Sequence, residues 1–193
     1  MPKLLLHVCC ASCGIIPIEL LKNKFSLTLF WYNPNIEPKE EYERRLVDVK
    51  KLAEIYQLPL IVDDYDNKEW REAVKGLEQE PENGHRCDAC FKFRLNRTAS
   101  IAHKNNFGPL RQLANGGFAT TLGLSRFKNT TLIDEFGQVL AKEKGIKYYR
   151  FQADKNLTTQ RERELSKKYN FYRQKYCGCS FANTIQSFPK FTK

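Results

Sequence analysis

Cys9, Cys10 and Cys13 place three of the chain's seven cysteines within five residues, directly after the apolar run Leu4–Leu6. The opening apolar run is too short for the core of a signal peptide, so the expected address is the reducing cytoplasm. There, thiols packed this tightly are metal ligands or redox groups before they are structural disulfides. Neighbouring side chains of a regular strand point to opposite faces, so Cys9 and Cys10 can share a ligand only if the backbone turns there. The small residues Ala11, Ser12 and Gly14 permit such a turn.

A second pair, Cys87 and Cys90 in "RCDACF", stands just ahead of a helical face that begins at Phe91. Two intervening residues let both sulfurs face one way across a helix start, where the helix dipole favours thiolate. Zinc sites, iron–sulfur sites and dithiol motifs all use this spacing, and spacing alone does not choose among them. The third group is Cys177 and Cys179 around Gly178. A disulfide across one residue closes a small, strained ring of the redox-active kind, and the alternative is a further pair of metal ligands. A structural zinc takes four ligands and leaves three of the seven cysteines unexplained. A four-iron cluster with a dithiol takes six and leaves one thiol beside the site. His7, His85 and His103 are too scattered to be read as ligands, although His85 abuts the second pair. No Walker loop or Ser-Gly-Gly-x-Asp-Ser loop follows the first apolar run, so nucleotide-dependent activation is not supported.

The elements that must position these thiols follow from periodicity. Residues 3–8, 25–32, 58–62, 117–122 and 146–151 are short apolar or β-rich runs and read as strands. Between them, Tyr42, Leu46, Val49, Ala53 and Tyr56 recur on one helical face after Pro38. Phe91, Leu95, Thr98 and Ala102 form a second face, and Leu132, Ile133, Phe136 and Leu140 a third. Strands alternating with helices predict a three-layer, Rossmann-like α/β fold with a mostly parallel sheet covered on both faces. At 193 residues it is expected to form one domain, residues 1–193. Ligands of such sheets bind beyond the carboxyl ends of the strands, which is where Cys9, Cys10 and Cys13 lie, so the metal site is expected there. The turn-rich stretch 105–117 reads as a loop or an insertion. No apolar stretch reaches the roughly 18 residues a bilayer requires, so no membrane partner is expected.

The net charge of +10 is unevenly distributed: residues 83–193 hold 21 Lys and Arg against 7 Asp and Glu. Such a surface suits a polyanion, because neutralised phosphates release counterions. Candidate contacts are Arg161, Arg163, Lys167 and Lys168 on one helical stretch, with Arg126 and Lys128 in "LSRFKN". Tyr148, Tyr149, Tyr172 and Tyr176, interleaved with basic residues, could stack on splayed bases, although each taken singly fits core packing.

Through "LLLHVCCASC", "FWYNPNIEPKEEYERR", "DDYD", "EWREAVKGLEQEPENGHRCDACFKFRL", "FATTLGLSRFKN" and "LSKKYNFYRQKYCGCSF", in that order, the chain resembles the epoxyqueuosine reductase QueH family over nearly its whole length. The resemblance implies two-electron reduction of the epoxide of epoxyqueuosine in tRNA to queuosine, with a 4Fe-4S cluster and an additional iron ion. It implies Cys9, Cys10, Cys87 and Cys90 as cluster ligands and Cys177 with Cys179 as a redox-active pair. Cys13, left over from that count, is the candidate for the second iron, and the electron donor is not identified. Ser12 stands where members of the family more often have proline, and the 105–117 stretch is longer than the usual connection. The competing readings are a non-catalytic, zinc-bound RNA-binding module and an iron–sulfur enzyme that inserts sulfur into tRNA; the missing ATP loop weakens the latter.

Overall fold

The first strand is enclosed on both faces over its apolar run. In a computed structural model, which describes residues 1–107, 116–125, 128–151, 155–174 and 176–182 (the side chains of 155–158 excepted), Leu4, Leu5 and Leu6 have no exposed surface. They belong to β1 (Lys3–His7), which pairs in parallel with β2 (Ser26–Trp31) on one side and β4 (Gly117–Thr120) on the other. With β3 (Leu60–Val62) and β5 (Lys147–Tyr149) at the edges, the five-stranded sheet runs β3-β2-β1-β4-β5, every pair parallel. A strand buried on both faces reads as a continuous apolar run, as "LLL" does.

Successive β1 residues feed opposite layers. Leu4 and Leu6 join Val8, Leu29 and Trp31 under α1 (Ala11–Leu21), α2 (Lys39–Tyr56) and α6 (Lys155–Lys168), through Ile15, Ile18, Val49, Leu52 and Leu165. Leu5 joins Phe30 and Phe118 under α4 (His85–Lys104) and α5 (Thr130–Lys144), through Phe91, Leu95, Ile133 and Leu140. The short α3 (Lys68–Ala73) contributes Trp70 to a third, smaller cluster. The α/β fold with helices on both faces is as expected, each strand being somewhat shorter than its apolar run. The helix carrying Cys87 and Cys90 begins earlier than expected: Gly84 is its extended N-cap, so both cysteines lie within its first two turns.

The chain order reverses between β1 and β4, and the crevice at such a switch point is the place where α/β sheets bind ligands. Cys9 follows β1 there, and Thr120 and Thr121 sit where β4 passes into the 3-10 turn Thr121–Leu124. Of the 105–117 stretch, residues 108–115 lie outside the described residues.

Candidate functional site

The turn that the three N-terminal thiols require is present. Cys10 is extended (φ −168°, ψ 161°) and is the N-cap of α1, so Cys13 falls in the first helical turn beside it. The Cys9 amide donates to Thr121 Oγ1 at 3.1 Å, and the Thr121 hydroxyl donates in turn to Cys9 Sγ at 3.4 Å. The Asn33 amide ties down the Val8 carbonyl at 3.0 Å. As a result the sulfurs of Cys9, Cys10 and Cys13 all lie within 4.8 Å of one another. Ser12, whose side chain is buried, lies with its hydroxyl 3.7 Å from Cys10 Sγ.

Three soft donors so close cannot all ionise without a cation. Hydrogen bonds from the Cys10 and Cys13 thiols hold Cys9 well below the ordinary thiol range, and Lys128 and Arg94 add to this against the cost of burial. The same contacts with Cys10 and Cys9, together with burial, hold Cys13 well above it. Without a metal the triad is therefore one thiolate shared by three sulfurs, and a bound cation replaces the remaining protons.

His7 supports the turn from below. Its Nε2–H donates to the Tyr32 carbonyl (3.1 Å), and its Nδ1 accepts from Thr120 Oγ1 (2.9 Å), which itself accepts the Leu122 amide. Burial drives its pKa down to about 3, so it is a neutral core histidine. His85 is exposed, 3.7 Å from the Asp88 carboxylate, and His103 Nδ1 meets the Lys144 carbonyl.

A second group of thiols forms against Trp70. Cys90, Cys179, Trp70 and Val74 are packed together with Cys177 against them. Burial pushes Cys87 up to about 11, and the Asn83 amide, which donates to its sulfur at 3.3 Å, opposes this. Burial pushes Cys179 up to about 12. All seven cysteines are free, Cys177 and Cys179 among them.

The segment carrying that last pair is held at three points. Cys179 forms an antiparallel bridge with Ile36, and the Glu37 amide donates to the Gly178 carbonyl at 2.8 Å. The third hold is Arg45, which donates from Nη1 to the Cys177 carbonyl (2.9 Å) and from Nη2 to the Tyr176 carbonyl (3.3 Å). Arg45 is fixed in turn by a buried ion pair with Glu41, one helical turn earlier, at 2.6 Å. Gly178 has φ +92°, a conformation that strains any side chain, and a Cβ there would stand 2.9 Å from the Arg45 guanidinium and press on the clamp. Arg45→Leu strands the Glu41 charge in the interior, and the expected loss of stability is about 3–5 kcal/mol by urea unfolding. Arg45→Lys keeps the charge but loses the fork that grips two carbonyls, so alkylation of Cys177 and Cys179 should accelerate with a smaller loss of stability. Unchanged alkylation in both variants would show that the clamp does not hold the pair.

Between the two thiol groups lies a cavity of about 140 Å³. Cys9, Cys13 and Cys177 line it, together with Arg45, Arg94 and Lys128 and the amide side chains of Asn33, Asn35 and Gln174. Tyr176 and Glu82 also reach its wall. Arg94 is buried and hydrogen-bonds Asn33 Oδ1. Lys128, although half-buried at a cost that lowers its pKa, is on balance raised because Cys9 and Cys177 face it. Lys128, a candidate phosphate contact, lines the thiol cavity; Arg126, the other candidate of that stretch, lies outside the described residues.

The basic residues of α6 lie elsewhere. Arg161 pairs with Glu19 at 3.4 Å. Glu19 is six residues beyond Cys13, about 9 Å further along α1. Arg163 and Lys167 are exposed, and Lys168 lies over the Tyr169 ring. Of the four tyrosines, Tyr176 alone lines the cavity. Tyr148 donates to Asp134, Tyr149 packs edge-on against Phe25, and Tyr172 hydrogen-bonds Glu41 beneath Arg44.

Sequence reasoning passed over Arg45, Arg94, Asn33 and Asn35. The two asparagines carried a usable signal, since "YNPNI" is a turn at the carboxyl end of the second strand. The spacing of the Cys9, Cys10 and Cys13 sulfurs suits a single ion, and they could bind a metal.

A family model described as "Epoxyqueuosine reductase QueH" matches residues 4–184. Curated relatives of that name include one from Acinetobacter baylyi, 40% identical over 93% of this chain and 80% of its own length. Another, from Thermotoga maritima, is 35% identical over 94% and 91%. A solved structure described as a predicted subunit of a tRNA methyltransferase from Methanocaldococcus jannaschii shares the fold. Its TM-score is 0.56 at 16% identity, covering 83% of this chain and 75% of that one.

Proposed function

Because the chain belongs to the epoxyqueuosine reductase QueH family, we propose that it reduces the epoxide of epoxyqueuosine in tRNA to the alkene of queuosine. The step consumes two electrons and two protons and releases the epoxide oxygen as water. The observation that carries the reading to these residues is the convergence of Cys9, Cys13 and Cys177, from opposite ends of the sequence, on one cavity lined with cations.

In this reading Cys9, Cys10, Cys87 and Cys90 hold a 4Fe-4S cluster, Cys13 serves an additional iron, and Cys177 and Cys179 are a redox-active pair. The chemistry of the donors fits: seven free thiols suit iron and sulfide better than any hard cation. When bound, these groups supply single electrons and Lewis acidity. The chain's own residues do the rest. Arg94 and the protonated Nζ of Lys128 offset the negative charge of the thiolates, and Arg45 fixes the backbone on which Cys177 and Cys179 sit. The basic residues beyond position 83, Arg161, Arg163, Lys167 and Lys168 among them, are assigned to tRNA phosphates, and the electrons to an external donor. No described helix is long and apolar enough to cross a membrane.

Protein purified without air is expected to be brown, to contain iron and acid-labile sulfide, and to convert epoxyqueuosine in tRNA when given a chemical reductant. A colourless protein with stoichiometric zinc and no conversion would instead identify an RNA-binding module built on the triad.

A further inference from the structure

Two buried amide oxygens facing the thiol cavity have no hydrogen-bond partner among the described residues: Asn35 Oδ1 and Gln174 Oε1. Asn35 is 1% exposed, and an unpaired acceptor at that depth is rare because it forfeits its water without replacement. Gln174 Oε1 is likewise buried without a partner, on a side chain that lines the cavity. Asn33 offers a contrast on the same wall: its Oδ1 accepts from Arg94 and its Nδ2 donates to the Val8 carbonyl, so both ends of its amide are engaged within the protein.

What fits a pair of unpaired acceptors is a ligand with two donors. An amide oxygen can only accept, so neither atom suits the epoxide oxygen, which carries no hydrogen. Epoxyqueuosine does have two donors close at hand, the neighbouring hydroxyls on the five-membered ring that bears the epoxide. We propose that Asn35 and Gln174 are specificity-determining residues that accept hydrogen bonds from those hydroxyls and so fix the epoxide against the thiol side of the cavity. This rests on the reductase reading and deepens it. A site built to pair with hydroxyls rejects a base without them, because its acceptors are then left buried and bare.

The test uses the metal-loaded protein with two anticodon stem-loops, one carrying epoxyqueuosine and one carrying guanine in its place. The variants are Asn35→Leu and Gln174→Leu. Replacing an acceptor that has no partner by an apolar group of similar shape removes a desolvation cost, so Asn35→Leu should be as stable as the parent, or more so, without RNA. The expected result is that each variant loses about tenfold in preference for the modified stem-loop and in kcat/KM, while affinity for the guanine stem-loop and the content of iron and sulfide stay unchanged. Full preference in both variants overturns the proposal, and so does loss of iron from either, which would make the oxygen a partner of the metal. A parent protein that neither prefers nor reduces the modified stem-loop overturns the reductase reading itself, a failure distinct from that of the variants.

Discussion

Serine in place of Cys9, Cys10, Cys87 or Cys90 is expected to strip most of the iron and sulfide from protein prepared without air. The reason is elementary: a serine hydroxyl is a hard oxygen that keeps its proton near neutral pH, whereas iron in a cluster is held by soft thiolates. The four positions are not equivalent in the free protein. Cys9 already leans toward thiolate, while burial holds the Cys87 and Cys90 thiols protonated, so binding at α4 must displace protons that the fold retains. Metal uptake should therefore release protons and should slow as pH falls. The check is iron and sulfide analysis beside the visible spectrum of each variant. Full content in any one of the four removes that residue from the ligand set.

Cys177→Ser and Cys179→Ser are expected to behave in the opposite way, keeping the brown chromophore while turnover falls by orders of magnitude. The pair reaches the site on a segment held by backbone contacts: the Ile36 bridge, the Glu37 amide and the two carbonyls in the grip of Arg45. None of these contacts uses a sulfur, so exchanging sulfur for oxygen leaves the segment in place and changes only its chemistry. Cys177 faces the cavity and also lies near Cys87, Cys90 and Cys179, so its loss should have the larger effect on turnover. Isolation of either variant without its chromophore would make that residue a ligand and reverse the assignment.

Much of this was legible in the sequence, and the part that was not has an identifiable cause. "LLL", "TLFW" and "GFAT" announce buried parallel strands because nothing polar interrupts them. α2, α4 and α5 show themselves through a striped face. α1 does not: Ile15, Ile16, Pro17 and Ile18 are all buried, so there is no polar face for periodicity to reveal, and a proline stands inside the helix. The cysteines were visible by spacing alone, but their division into a triad and a Trp70-backed group depends on which loops meet. Arg45 and Arg94 sit on apolar faces, where an arginine commonly reaches out to water. Their actual partners, the Cys177 carbonyl and Asn33, lie 132 and 61 residues away along the chain. No local pattern encodes such a meeting. The charge of Lys128 marks it as a candidate phosphate contact, but nothing local shows that it also lines the thiol cavity beside Cys9 and Cys177.

The clamp at Arg45 also dictates an order of assembly. Cys9, Cys10 and Cys13 lie within five residues of chain, and the contacts that set their turn, from Asn33 and Thr121, are available once the chain has reached Thr121. The wall bearing Cys177 cannot close until residues 176–179 have run back along α2, a loop closure spanning more than a hundred residues and among the slowest kinds of contact a chain makes. The grip of Arg45 on the Tyr176 and Cys177 carbonyls is thus a late, long-range contact, and it is the one that closes the wall of the cavity over the triad.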